Sequence, residues 1–277
     1  ASDVYKRQVC MHRCRLKPGQ FGRCGARKNV NGMIVCENYG RITALALDPI
    51  EKKPLSMFYP GSVILSVGSF GCNLHCPFCQ NHDISMKNAD EAETVFLAPE
   101  KLALKASELR ARGNIGVAYT YNEPLTGYEY VRDAAKIVKQ YGMKNVLVTN
   151  GAFSEAVEES LLPYIDAMNV DLKGIREDYY RKLGGDLGTV QNFIKKAADR
   201  CHVELAALIV PGENDSREEM EEMAAWVASV NPDIPLHVNR VFPRWNMADK
   251  KATETEKVYR LAETARAYLK YVFVGNC

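Results

Sequence analysis

From residue 63 onward, short apolar runs alternate with longer stretches whose apolar positions recur at helical spacing. Residues 63–67, 115–119, 145–149, 167–171, 203–210 and 236–241 read as strands. Between and after them, residues 99–112, 125–141, 154–162, 177–183, 189–200, 216–230 and 253–268 carry the 3.6-residue period of amphipathic helices. Pro99 sits near the first turn of its helix, and Ser154 is placed to cap its own. Six strands alternating with helices predict an α/β fold with a parallel sheet and helices outside it. An open doubly wound sheet and a closed or partial barrel both satisfy this pattern. In either case ligands sit at the C-terminal ends of the strands.

The pattern before residue 63 is different. Residues 9–62 are rich in glycine and basic side chains, with cysteines at 10, 14, 24 and 36. Apolar runs are confined to residues 33–35 and 42–47, and prolines 49 and 54 disfavour helix between them and residue 63. A small irregular cysteine-containing module with a few β pairings is expected at 9–62, and the main domain at 63–277. Residues 1–8 are expected to be a non-native leader, since residues 3–8 match one reading frame of a sequencing adapter. The stop at Cys277, directly after an apolar strand-like run, suggests missing C-terminal sequence.

Composition narrows the class of function. Among 277 residues, 47% are hydrophobic and 25% charged, as in an ordinary globular protein. A net charge of +2 offers no electrostatic case for nucleic acid or an acidic membrane surface. No apolar run approaches the roughly 18 residues of a membrane span. Nine cysteines without an export signal point to a reducing cytoplasm and to metal binding over disulfides.

Candidate chemistry lies at the strand ends. The first strand runs into Gly71-Cys72-Asn73-Leu74-His75-Cys76-Pro77-Phe78-Cys79-Gln80-Asn81, a C-x3-C-x2-C loop. Iron–sulfur clusters are usually held by four thiolates, so three leave one iron of a [4Fe–4S] cluster open to a small molecule. Zinc more often takes paired C-x2-C motifs, although His75 and His82 keep it open. A buried thiol set fits the turn-forming Gly71, Asn73 and Pro77 poorly. The second strand ends in Asn122-Glu123-Pro124, where Glu123 can hold a cationic amino group, with Asn122 assisting, or can serve as a helix N-terminal carboxylate. The third ends at Asn150, suited to a ribose hydroxyl or to a turn. Asp171 and Lys173 close the fourth on one side of the strand, the lysine able to meet a carboxylate and the pair able to satisfy itself. His237, on the sixth strand, is a candidate cofactor contact facing the interior, or a hydrogen-bonded core histidine.

These segments together resemble the activase-like branch of the radical S-adenosylmethionine (SAM) superfamily. The resemblance rests on residues 72–81, 122–124, 149–151, 171–173 and 210–212. A closer resemblance, to AmmeMemoRadiSam system radical SAM enzymes, adds residues 10–14, 16–20, 22–25, 48–55, 59–62 and 120–124. It implies a (β/α)6 partial TIM-type barrel, a [4Fe–4S] cluster on Cys72, Cys76 and Cys79, and SAM. Asn81, Asn122, Glu123, Asn150 and Lys173 would contact SAM, and the Phe78 backbone would meet its adenine. The activity implied is reductive cleavage of SAM to a 5′-deoxyadenosyl radical, fed by an electron donor such as flavodoxin or ferredoxin. The alternatives are a glycyl radical enzyme activase, with a protein substrate, and a non-catalytic metal-stabilised binding module. Two features depart from the subgroup: Arg7 stands where it has a further cysteine, and the chain ends before its later cysteines. The ferredoxin-like insert of longer activases is also missing. Cys10, Cys14 and Cys24 form a C-x3-C-x9-C set, one ligand short of tetrahedral zinc, with Cys36, Cys277 or His12 as completing residues. An accessory zinc, a second cluster and a disordered metal-free terminus are all open there. Cys201 reads as a buried thiol.

Overall fold

The computed structural model describes residues 9–277; the leader expected at 1–8, with Arg7, lies outside them. The N-terminal segment forms a hairpin of β1 (Arg27–Val30) and β2 (Met33–Cys36), then β3 (Arg41–Ile42) and β4 (Ala44–Pro49). β5 (Val63–Gly68) follows, then the cysteine loop, the short α1 (His82–Ser85), β6 (Val95–Phe96) and α2 (Pro99–Glu108). The repeating part continues with β7 (Asn114–Tyr119), α3 (Tyr128–Gln140), β8 (Lys144–Thr149), α4 (Glu155–Leu161) and β9 (Ala167–Asp171). It ends with α5 (Glu177–Lys182), α6 (Leu187–Ala198), β10 (His202–Ile209), α7 (Arg217–Val230), β11 (Leu236–Arg240), α8 (Thr255–Arg266) and β12 (Val272–Gly275).

One sheet dominates, in the order β12-β11-β10-β9-β8-β7-β5-β4. Within this sheet every other pairing is parallel, and β4 alone runs antiparallel, on β5; β6 pairs apart, antiparallel with β3. The predicted six-strand series is thus extended by β12 and widened by β4. The fold is the expected α/β partial TIM-type barrel: a mostly parallel sheet whose two edge strands do not pair with each other.

Both faces of the sheet are apolar, which is why its strands read as runs and not as alternations. Leu65, Val117 and Leu147 face outward, into a core shared with Leu102 of α2 and Val131, Ala134 and Val138 of α3. Their neighbours Ile64, Ala118 and Val146, with Ala167, face inward at the base of the barrel, where Ile50 and Leu55 fill the space. Residues 44–58 therefore belong to the barrel, as edge strand and basal plug.

Polar groups hold that plug. Glu204, fully buried, accepts the backbone N–H groups of Ser56 (2.9 Å) and Met57 (2.8 Å). It also pairs with His202 and His237 at 2.9 and 2.7 Å. Burial opposes its charge, but the two histidines and two amides outweigh burial and hold the carboxyl at about 2. Helix ends follow partly from sequence: Ser216 and Asp186 accept capping bonds from Glu219 and Thr189. Ser154 occupies its N-cap position without a side-chain capping bond, while its backbone N–H donates to Val9.

Candidate active site

The C-terminal strand ends surround one cavity of about 310 Å³. Its lining includes Cys72, Cys76, Phe78, Cys79 and Asn81 from the cysteine loop, Asn122 and Glu123 after β7, Asn150 after β8, and Asp171 and Lys173 at the end of β9. The sequence names each of these, and the parallel topology brings them together because each lies at the same end of its strand. His237 is the exception. It is buried below the cavity, bonded to Glu204 and stacked on Phe273, and does not line the site. Its interior position follows from the strand alternation, but its partner was unreadable because Glu204 lies 33 residues away.

The cysteine loop is anchored from several sides. Gly71 has φ +89°, and a Cβ there would lie 2.5 Å from the carbonyl of Cys24, so only glycine suits the close approach. The Cys72 amide donates to that same carbonyl at 3.1 Å, and His75 N–H donates to Leu183. Asn122 spends its whole carboxamide here. Its oxygen accepts Ser69 N–H, and its nitrogen donates to the carbonyls of Phe70, Gly71 and Glu123. Asn122 thereby staples the end of β5 to the loop, and it lines the cavity as well.

Glu123 lies at the centre of the site, 3% exposed. Its Oε1 accepts Thr149 Oγ1 at 2.8 Å and Leu125 N–H at 3.0 Å, and its Oε2 accepts Asn150 N–H at 2.7 Å. It therefore caps the turn after β7, as a helix N-terminal carboxylate would, and lines the cavity as well. Burial raises its carboxyl to about 7, against the pull of the three donors. A cation placed beside it would restore the ionised form. Asn150 reaches Asn73 Oδ1 at 2.8 Å and Cys72 Sγ at 3.7 Å. Lys173 Nζ meets Asp171 Oδ2 at 2.8 Å. Burial works against the Lys173 charge, but the Asp171 carboxylate outweighs it and holds the ammonium above its usual range.

The donor set fits an iron–sulfur cluster with SAM. Three thiols face one cavity, and Cys72 Sγ already accepts Leu74 N–H at 3.4 Å, the type of bond that stabilises cluster thiolates. Burial keeps all three thiols neutral in the protein alone, Cys76 at about 11. Among the described residues no three His, Cys, Asp or Glu side chains converge closely enough for a single ion. Zinc would draw its thiolates to within about 4 Å of one another, whereas a cluster separates them by its own width. On the cavity wall Asn169 donates to Pro54 O and leaves its buried Oδ1 without a partner, an acceptor for a ligand hydroxyl or amine. Asn169 was missed by the sequence reading; it lies two residues before Asp171, on the same strand face.

Cys10, Cys14 and Cys24 do meet, around a smaller cavity of about 40 Å³ that also holds Arg27. Of the residues named to complete a tetrahedral set there, Cys36, His12 and Cys277, none lines that cavity. Cys36 donates instead to Asn38, His12 bonds to the carbonyl of Asn73, and Cys277 is exposed. Nor is the segment without structure: Cys10 bridges to Phe153, and Arg27 forms a two-pronged ion pair with Glu129 at 3.0 and 2.6 Å. Cys201 is part-buried, and its thiol donates to the carbonyl of Ala197.

A family model described as the Radical SAM superfamily matches residues 66–227. An uncharacterized protein of Methanocaldococcus jannaschii is 37% identical over 97% of this chain and 80% of its own length. The pyruvate formate-lyase-activating enzyme of Clostridium pasteurianum is 26% identical over 58% of this chain and 67% of its own. The crystal structure of SuiB from Streptococcus suis superposes with a TM-score of 0.58 at 15% identity, covering 76% of this chain and 48% of that one, and so shares the fold. Among the described residues no helix is long and apolar enough to cross a membrane.

Proposed function

The chain belongs to the radical SAM superfamily, whose enzymes bind a [4Fe–4S] cluster and SAM, and from that premise we propose how its own residues serve them. Cys72, Cys76 and Cys79 would hold the cluster and leave one of its irons open to SAM. Glu123 takes the ammonium of SAM, and Lys173, oriented by Asp171, takes the carboxylate. Asn150 and Asn169 supply a carboxamide nitrogen and an unpaired carboxamide oxygen to the ribose, and the loop at Phe78 and Asn81 borders the adenine. Once bound, the cofactors supply a one-electron cleavage of the sulfonium to methionine and a 5′-deoxyadenosyl radical, which takes a hydrogen atom from the substrate. The protein's part is to orient these groups and exclude water.

The observation that carries this reading is the convergence of ten sequence-named residues, from four strand ends, on one cavity of about 310 Å³. A non-catalytic metal-stabilised module gives no reason for Glu123 and Lys173 to share a cavity with the three thiols. A second reading, favoured by the likeness to the C. pasteurianum activating enzyme, has a protein backbone glycine as the substrate. The test is the production of 5′-deoxyadenosine and methionine from SAM by the anaerobically reconstituted protein with dithionite. The proposal requires both products in equal amounts, and their loss in Cys76→Ala. Equal yields with and without Cys76 would refute it.

A further inference from the structure

The chain leaves the cysteine loop through Asn81 and His82, and each is gripped from a different strand end. Asn81 Nδ2 donates at 2.6 Å to the carbonyl of Tyr121, just after β7. The His82 ring stacks on Trp245, in the loop after β11, with centroids 5.8 Å apart and planes at 14°. His82 Nδ1 lies 3.3 Å from the carbonyl of Cys79, and its Nε2 lies 3.3 Å from Asp83 Oδ1. In the sheet, β8, β9 and β10 separate β7 from β11. The exit of the loop is therefore tied to two distant parts of the barrel wall.

Both gripping residues are aromatic, and both have left-handed backbones, Tyr121 at φ +72° and Trp245 at φ +49°. Glycine, asparagine or aspartate would serve a turn there; a bulky aromatic persists only where contacts offset the strain. Tyr121 has such contacts. Its hydroxyl donates to Asp48 Oδ2, and Lys53, paired with the same oxygen at 2.8 Å, sits 4.6 Å above its ring. A Cβ at Gly68 would lie 2.9 Å from Tyr121 Cβ and Cδ2, so the glycine ending β5 vacates the space that the tyrosine fills. Tyr121 also lines the deep cavity. Strain kept at such a place marks a backbone held for a purpose. Here the atom so held is the carbonyl that meets Asn81. With Nδ2 engaged there, Asn81 keeps its Oδ1 as an acceptor for a ligand.

We propose that Tyr121 and Trp245 are positioning residues that clamp the exit of the cysteine loop, Tyr121 through Asn81 and Trp245 through His82. The clamp sets the adenine side of the SAM site before SAM arrives, and in this it rests on the site proposed above. Asp48 and Lys53, at the barrel edge, act on SAM only by holding the tyrosine ring.

Hydrogen–deuterium exchange of the anaerobically reconstituted protein, without SAM, reads the clamp directly. The amides of Ile84 and Ser85 donate to the Asn81 carbonyl, and that of Met86 donates to the His82 carbonyl. In Tyr121→Gly the first two are expected to exchange at least tenfold faster than in the parent. In Trp245→Leu the third is expected to do so, while Leu205 in β10 keeps the parent's rate in both. Equilibrium dialysis then measures SAM. Tyr121→Gly and Asn81→Ala are each expected to bind it at least fivefold more weakly, and the double variant within twofold of the weaker single, because both remove one link. Tyr121→Phe, which keeps the ring and loses only the bond to Asp48, replaces Tyr121→Gly if that variant does not fold, with at least twofold effects expected. Parental exchange at Ile84 and Ser85, or additive losses of SAM affinity in the double variant, would overturn the clamp at Tyr121. Parental exchange at Met86 in Trp245→Leu would overturn it at Trp245. A parent protein that binds no SAM would instead overturn the site beneath the proposal, and the exchange rates keep the two failures distinguishable.

Discussion

Replacing Glu123 by glutamine keeps the shape of the side chain and removes its charge. The carboxylate accepts from three donors, two on Oε1 and one on Oε2. A glutamine that keeps its oxygen toward Leu125 and Thr149 turns an NH₂ toward Asn150 N–H, leaving two buried donors face to face. That costs about 1–3 kcal/mol of folding stability. Part of the cost is offset below neutral pH, because burial already holds Glu123 at about 7, where a neutral side chain is no disadvantage. The effect on SAM is separate. A charge-assisted bond to the SAM ammonium contributes about 1.5–3 kcal/mol, so SAM affinity should fall about 10- to 150-fold. Equilibrium dialysis of SAM against reconstituted protein reads the affinity, and urea unfolding reads the stability. A folded, cluster-bearing E123Q that holds SAM within twofold of the parent would refute the role given to Glu123.

Three further outcomes follow from the packing. Asn122→Ala removes four hydrogen bonds from the end of β5; it should cost about 2–4 kcal/mol in urea unfolding and lower iron uptake per chain, and normal iron content would deny it the stapling role. Gly116→Ala would place a Cβ 1.8 Å from the Lys144 carbonyl across the β7–β8 ladder; severe loss of soluble protein or of Tm is expected, and a Tm within about 2 °C of the parent would contradict the strand pairing. Burial raises the Glu158 carboxyl to about 8, and its Oε1 has no partner. A carboxyl raised in the fold favours folding below its unfolded value near 4.5, and that stability is lost as pH rises toward about 8. Glu158→Gln should therefore match the parent near pH 4.5 and exceed it by roughly 1–3 kcal/mol at pH 8.5, in urea unfolding at the two pH values. An equal difference at both would remove the titration argument.

The sequence was most informative where one residue type answers one local demand. The strand–helix alternation placed the barrel, because buried parallel strands must be apolar on both faces. The site was legible because polar residues at the ends of such strands have little other reason to be there. Contacts between distant segments were not legible. The apolar run of 42–47 announced a strand but not that β4 pairs antiparallel with β5, and a proline-bearing loop gave no sign that Ile50 and Leu55 plug the barrel. The four main-chain partners of Asn122 were not legible either, because they carry no sequence signature. His237 was placed inside the barrel correctly, but its neighbour Glu204 sits on another strand. For the N-terminal cysteines the spacing suggested a metal, and the fold brings three of them to one small cavity.

The central claim is that Cys72, Cys76 and Cys79 hold a cluster with one iron open to SAM. Low-temperature EPR of the anaerobically reconstituted, dithionite-reduced protein, recorded with and without SAM, tests it most directly. The account predicts a [4Fe–4S]⁺ signal whose g-values shift when SAM is added and which is lost in Cys76→Ala. A cluster signal indifferent to SAM, or zinc in place of iron at the three thiols, would contradict it.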